Sequence, residues 1–503
     1  MSSLLRPFVQ NVMMTLMAAA ILLFGLPRNV SAQQAVTPPK LEGPIPSTPN
    51  NYAFLSANRV QAAVDLQKAG YAEEEYMVSG TANFYEWTTD GNVKVKTSNA
   101  PYTTRILIRR PAVAAKFSGN VILEPMENAR AWDWAFMWGT SYEYFIEHGD
   151  MWVGVTRSPN AIAALKKFNA QRYASLSMAN PTPNESCGTA NSRSENEEGL
   201  QFDIFTQVVA ALKSPNTPVA GFRAQRVYGT SHTGELVTYA HAIQPMSKAF
   251  DGFVFEANPG PSAISRCGSA PGANDPRRIT RNVGAPVIRM VPEGDVPAAY
   301  ALRREDSDAP NDRFRWYEVA AAPRMDIRYY QHMPVMEDQT KAGEEALPGN
   351  WPFTYTCGAP VIGLLELPVF QTAMNAAFYH IDQWARNGTP PPRVERMTVK
   401  DPGTPQATVA ADQYGNGVGG IRSPYVDVPV ATYYTHSPGQ GTCRNIGYKV
   451  AFDWSRLETL YGSSKNYASK VNERIDQLVK DKWLLPSDAK RLREELLSPA
   501  KTR

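Results

Sequence analysis

Gly229-Thr230-Ser231-His232-Thr233-Gly234 stands between two contrasting stretches of chain. Before it runs Gln225-Arg226-Val227-Tyr228, which is strand-like. After it runs Glu235-Leu236-Val237-Thr238-Tyr239-Ala240-His241-Ala242, which is helix-like. The hexamer holds the spacing Gly-x-Ser-x-Gly. Small residues at the first and last positions let a chain turn sharply from strand into helix. Such an elbow is expected to lift the Ser231 hydroxyl clear above a sheet, where the helix N-terminus offers backbone N–H groups to an oxyanion. The bare pattern is common by chance and also fits a Gly/Ser-rich surface turn. Its weight comes from the strand before it and the helix after it.

Working outward, apolar runs alternate with helical or loop-rich text. Residues 81–87 and 92–97 alternate in polarity around Asp90-Gly91 and predict a β-hairpin. Thr104-Arg105-Ile106-Leu107-Ile108 predicts a further strand, and Asn120-Val121-Ile122-Leu123-Glu124 a buried one. Met151-Trp152-Val153-Gly154-Val155, the run 250–255, the run 286–291 and the run 314–319 continue the series. Helical text lies at 134–145 and 202–212. Strands alternating with helices argue for an α/β fold, a mostly parallel sheet with helices on both faces. Residues 388–430 are rich in Pro, Gly and Asp and predict a loop-rich surface excursion. A terminal helical pair is expected over 465–482 and 487–497, the second capped by Ser487.

At the other end, Arg6 is the only charge before an apolar stretch over 12–26, and Val30-Ser31-Ala32 is a small-x-small cleavage pattern. Residues 1–32 therefore read as a signal peptide, leaving 33–503 as a single domain with surface insertions. The compartment expected is secreted or periplasmic. The formal charge of +3 drops to +1 once Arg6 and Arg28 are removed. So small a charge gives no reason to expect nucleic acid or an anionic membrane as a partner. Cys187, Cys267, Cys357 and Cys443 are an even set without Cys-x-x-Cys spacing. In an exported chain they imply two disulfides, with three possible connectivities. Asn184 and Asn387 head Asn-x-Ser/Thr sequons.

Several long, irregular stretches carry a resemblance. They include Gly119-Asn120-Val121-Ile122-Leu123-Glu124-Pro125, Arg172-Tyr173-Ala174-Ser175-Leu176 and the elbow itself. Glu293-Gly294-Asp295 and Arg303-Arg304-Glu305-Asp306-Ser307-Asp308 follow. Phe314-Arg315-Trp316-Tyr317-Glu318-Val319-Ala320 and Gly415-Asn416-Gly417-Val418-Gly419-Gly420-Ile421-Arg422 complete the set. On these the chain resembles the α/β-hydrolase-domain family, over most of its length. The resemblance implies an α/β-hydrolase fold of the serine-hydrolase kind and leaves the substrate open. A small-molecule ester is the partner expected, and no cofactor is expected.

The family's chain order is nucleophile, acid, histidine. Ser231 is the expected nucleophile. Asp295 is the expected acid, at the end of a downstream strand, with Glu293 as its close alternative. The family's histidine stands a few residues after Glu-Val-Ala, where this chain reads Ala320-Ala321-Ala322-Pro323-Arg324-Met325-Asp326. Arg324 occupies that place, and a guanidinium stays protonated, so it cannot act as a general base. Of six histidines, His332 lies in the right part of the chain and is the replacement base expected, with His436 behind it. His148, His241 and His380 read as structural.

Two backbone N–H groups are expected to form the oxyanion hole, those of His232 and of Glu127 in Met126-Glu127-Asn128. Trp134, Trp138, Tyr142 and Phe145 recur at helical spacing, which marks core more often than an acyl pocket. No metal is expected, since no His-Glu-x-x-His helix or His/Asp cluster is present. Two functions fit this text. One is an exported serine hydrolase that cleaves carboxylic esters through an acyl-enzyme. The other is a catalytically silent relative that binds without turnover.

Overall fold

The computed structural model describes residues 37–498 except 129, 189–192, 218, 220, 258–259, 344–356, 358–367 and 440. The expected signal peptide lies outside the described residues.

A ten-stranded sheet runs in the order β1-β2-β3-β5-β4-β6-β7-β8-β10-β9. Its strands are β1 (Lys40–Glu42), β2 (Tyr71–Trp87), β3 (Val93–Pro111), β4 (Asn120–Pro125), β5 (Met151–Val155), β6 (Arg226–Ser231), β7 (Gly252–Glu256), β8 (Val287–Pro292), β9 (Ser307–Ala309) and β10 (Asp312–Val319). Neighbours from β5 through β4, β6, β7 and β8 to β10 are parallel. β1, β2 and β3 join β5 antiparallel on one side, and β9 closes the other. Both edge strands have only three residues, which limits the unpaired backbone they present.

Every residue of β4, β5, β7 and β8 is buried. Successive side chains point to opposite faces, so both faces of the central sheet are covered. Helices supply the cover. α1 (Phe136–His148) and α2 (Pro159–Phe168) precede α3 (Gln201–Lys213) and α4 (Glu235–Ala242). α3 packs on β2 and α4 on β6, while the helix Val369–Asn387 packs on β7, β8 and β10. At Gly252 a Cβ would come 2.8 Å from Ile381 Cγ1, so only glycine admits that helix to the sheet.

Three details differ from the sequence reading. The predicted strands at 92–97 and 104–108 are one long strand, β3, paired along its length with β2. Ser487 does not cap the last helix; Pro486–Leu496 begins after Leu485, with Pro486 in its first turn. Residues 388–430 carry short elements and also brace the sheet. Ile421 N–H donates to Glu318 O (2.7 Å), Ala320 N–H donates to Ile421 O (3.0 Å), and Met397 N–H donates to the Glu318 carboxylate (2.7 Å). The cysteines pair as Cys187–Cys267 and Cys357–Cys443. No helix among the described residues is long and apolar enough to cross a membrane.

Candidate active site

The chain leaves β4 for β5 on one side and returns to β6 on the other, so the strand order reverses between β4 and β6. In open α/β sheets the crevice outside the carboxyl ends of the strands at such a reversal is where ligands bind. Ser231 is the last residue of β6, and α4 begins at Glu235. Strand, turn and helix therefore follow in the order expected. Sterics explain the two glycines. A Cβ on Gly229 would come 2.9 Å from Phe253 Cδ1, and one on Gly234 would collide with the Gly260 carbonyl oxygen.

Ser231 itself departs from expectation. It is fully buried, not raised into solvent. Its Oγ accepts from Thr233 N–H (2.9 Å) and donates to Thr233 O (2.6 Å). This is a local side-chain-to-backbone turn of the kind Ser favours at a helix start. Ser231 is also absent from the residues with positive φ, so the backbone strain that presents a nucleophile is not present.

The turns after β8 and β10 meet beside this elbow, because parallel neighbours end at the same edge of the sheet. Gly294 N–H donates to Ala322 O (3.0 Å), and Ala321 N–H donates to Glu293 Oε2 (2.7 Å). A Cβ on Gly294 would stand 3.2 Å from Arg324 N, so glycine lets the turns close up. Asp295 then faces Arg324, whose Nη1 donates to both carboxylate oxygens at 3.0 Å. Glu293 is spent on the Ala321 amide; burial pushes its carboxyl up to about 7. Of the two carboxylates Asp295 is the one that faces position 324, and its partner there is a guanidinium. Burial works against the Arg324 charge, but Asp295 and Glu256 outweigh it and hold its pKa above the ordinary value.

His332 does not come to the site. Its ring packs on Tyr142 (5.1 Å between centroids) and against Gly139 of α1, and no hydrogen bond joins it to Ser231 or Asp295. Nδ1 is buried without a partner. Burial first, then Arg328 and Arg109, depress its pKa to about 3, so it stands neutral in an apolar setting. The helix Ile327–Gln331, started by the Asp326 side-chain cap, carries His332 under α1 and turns Tyr329 toward the elbow instead. His436 lies in an exposed loop, with Nδ1 against Arg444 O.

Glu127 cannot serve as drawn from sequence either. Its N–H donates to Trp134 O (3.0 Å), and Trp134 N–H returns to Glu127 O (2.9 Å). The Asn128 and His232 amides make no hydrogen bond within the described residues. Arg157, just after β5, holds this loop to the elbow helix. It reaches Met126 O (3.1 Å), Asn128 Oδ1 (2.7 Å) and Glu235 (3.0 Å).

Sequence reasoning missed Glu256. It ends β7 next to the elbow, and its carboxylate pairs with His232 Nδ1. Burial penalises both charges. The facing carboxylate still raises the His232 pKa above its usual value. An acidic residue directly after a buried apolar run, at the carboxyl end of a parallel strand, is the signal that could have found it. Trp134, Phe136 and Tyr329 form the wall above. Phe136 lies 4.2 Å from His232 and 4.8 Å from Tyr329, and Tyr329 lies 4.2 Å from Trp134, between ring centroids. Among the described residues no group of three or more His, Cys, Asp or Glu could hold a metal ion.

A mostly parallel sheet with a serine turn at its switch point, an acid after β8 and a residue facing it after β10 define the architecture of an α/β hydrolase. The chain belongs to the family described as "Alpha/beta hydrolase domain", whose model matches residues 41–494. No curated protein sequence matches it significantly. Among solved structures it is similar to a fungal esterase from Rhizomucor miehei (10% identity, 63% of this chain and 85% of that chain, TM-score 0.32). A CE15 glucuronoyl esterase from Teredinibacter turnerae is also similar (9%, 56% and 74%, TM-score 0.27). So is Est1E from Butyrivibrio proteoclasticus (9%, 52% and 96%, TM-score 0.26). Overlaps this partial carry no argument about what this chain does.

Proposed function

We propose that the protein keeps the α/β-hydrolase site as a binding site for small carboxylic ligands, ester or free acid, without triad-driven turnover. The observation that carries this is Arg324 in the position of the histidine, clamped on Asp295 by Nη1. Acyl transfer from a serine needs a neighbour that removes the hydroxyl proton. A permanently charged guanidinium has no lone pair to offer, and Ser231 Oγ already satisfies itself on Thr233. The experiment is labelling with a fluorophosphonate probe, run beside p-nitrophenyl acetate hydrolysis. Neither should exceed background in the wild type. Stoichiometric labelling of Ser231 would reject the reading.

A second reading keeps carboxylic-ester hydrolysis by Ser231 and is favoured by the His232–Glu256 pair. That pair places an imidazole backed by a carboxylate next in sequence to the serine. It requires His232 Nε2 to reach Ser231 Oγ when substrate binds, since no such hydrogen bond is present. Loss of ester cleavage in His232→Asn, from a wild type that is active, would select it.

Export from the cytosol is part of the proposal. The leader pattern in the sequence supports it, as do the two disulfides. An N-terminus near Gln33 in the mature protein is the expected result. Retention of Met1 would reject it.

A further inference from the structure

Two ion pairs of the crevice, Arg324–Asp295 and His232–Glu256, leave donor atoms of their cationic members unused. Arg324 spends only Nη1 on Asp295. Its Nε and Nη2 make no hydrogen bond among the described residues, and the side chain is 35% exposed. His232 spends Nδ1 on Glu256; Nε2 has no partner there, although the side chain is only 7% exposed. The Tyr329 hydroxyl has none either, while its ring is held against Trp134, Phe136 and His232. The His232 and Tyr329 rings stand 6.2 Å apart between centroids, and Glu256, which holds His232, ends β7 beside β8, whose following turn carries Asp295 and, through it, Arg324. The Arg324 charge is felt at both His232 and Tyr329, and Glu127 and Arg130 add opposite charges at Tyr329. Asp326 caps the following helix, and Arg328 is engaged by Glu143.

Resting on the reading of this crevice as a binding site, we propose that it takes the free carboxylate of a small organic acid with an aromatic or apolar body. The planar edge of Arg324 and the Tyr329 hydroxyl are its donors, with His232 Nε2–H as the third. A guanidinium edge matches the two oxygens of a carboxylate, and such charge-assisted bonds are the strong ones. Since Asp295 and Glu256 are each neutralised by their own partner, an incoming anion meets outward-facing donors, not bare carboxylates. The rings of Phe136 and Tyr329, with buried Trp134 behind them, supply an apolar wall for the rest of the ligand. A neutral ester lacks the charge that Arg324 would recognise, so acid is expected to bind in preference to ester.

The test is calorimetric titration of the full mature protein with phenylacetate, methyl phenylacetate and inorganic phosphate. Phenylacetate should bind, and the methyl ester should bind at least about tenfold more weakly. Arg324→Gln should weaken phenylacetate by about ten- to a hundredfold. Arg324→Lys and Tyr329→Phe keep the fold's charge and shape and should lose less. Equal binding of acid and ester, unaffected by Arg324→Gln, would overturn the carboxylate proposal while leaving a neutral-ligand crevice. Phosphate competing as well as phenylacetate would overturn the apolar-body half. No binding of either organic ligand would overturn the proposal outright. Fast hydrolysis of the methyl ester would instead reject the reading of a site without turnover.

Discussion

Arg324 Nη1 lies 3.0 Å from both carboxylate oxygens of Asp295. Position 324 thus presents to this carboxylate a group that cannot take up a proton. Glycine at 294 and the Ala321–Glu293 hydrogen bond hold the two turns in place. A side chain at position 324 is therefore directed at the Asp295 carboxylate.

Arg324→His should restore a base facing Asp295. General-base assistance is worth about a hundredfold or more in rate. The variant is expected to hydrolyse p-nitrophenyl acetate faster than the wild type by at least that factor, with a rate that rises through the histidine pKa. Adding Asp295→Asn should remove most of the gain. An unchanged rate in Arg324→His would mean that the buried Ser231, not the missing base, limits the site.

Ser231→Ala removes one local hydrogen-bonding group and no exposed nucleophile. Its cost should be about 1 kcal/mol of stability, the usual worth of such a bond. Ligand binding should survive. Urea unfolding and titration of the variant check both. Abolition of a robust wild-type esterase activity would be the contrary outcome and would return Ser231 to catalysis.

His232 should titrate above the ordinary histidine range because Glu256 faces it. A group whose folded pKa is raised contributes stability that is complete below the unfolded value of about 6.5 and fades as pH rises through the folded one. NMR titration should therefore find the His232 pKa above the ordinary value of about 6.5. Glu256→Gln should lower that pKa and flatten the corresponding loss of stability. A His232 pKa unmoved by Glu256→Gln would show that the pair is not formed.

His332 is buried, and its pKa is depressed to about 3. The unfolded chain takes up this proton near pH 6.5 and the folded chain does not. Its contribution is thus present above pH 6.5 and is lost as pH falls toward 3. Each unit of displacement is worth about 1.4 kcal/mol. Stability measured against pH in wild type and His332→Leu should converge, or cross in favour of the variant, between pH 6.5 and 4. A pH-independent difference would place the histidine in water, contrary to its packing on Tyr142.

Local text made much of this protein legible. The elbow's strand and helix and the buried runs of β4, β5, β7, β8 and β10 could be read from apolar runs and small residues. So could an arginine at 324, where the family resemblance leads one to expect a histidine. These are properties of short windows, where sterics and periodicity act between near neighbours in the chain. Other features depended on which turns meet at the edge of the sheet. As text Asp295 is preferred to Glu293 only narrowly; the pairing of β8 with β10 is what sends one to Arg324 and the other to the Ala321 amide. His332 reads as a base until the helix Ile327–Gln331 is seen to carry it beneath α1 and to deliver Tyr329 instead. Glu127 loses its amide to Trp134, and Ser231 turns inward onto Thr233, because each hydrogen bond is settled by a backbone path. Glu256 finds His232 because parallel strands bring their carboxyl ends together, whatever their separation in sequence. Propensity determined the elements, and the register of neighbouring strands decided the chemistry between them.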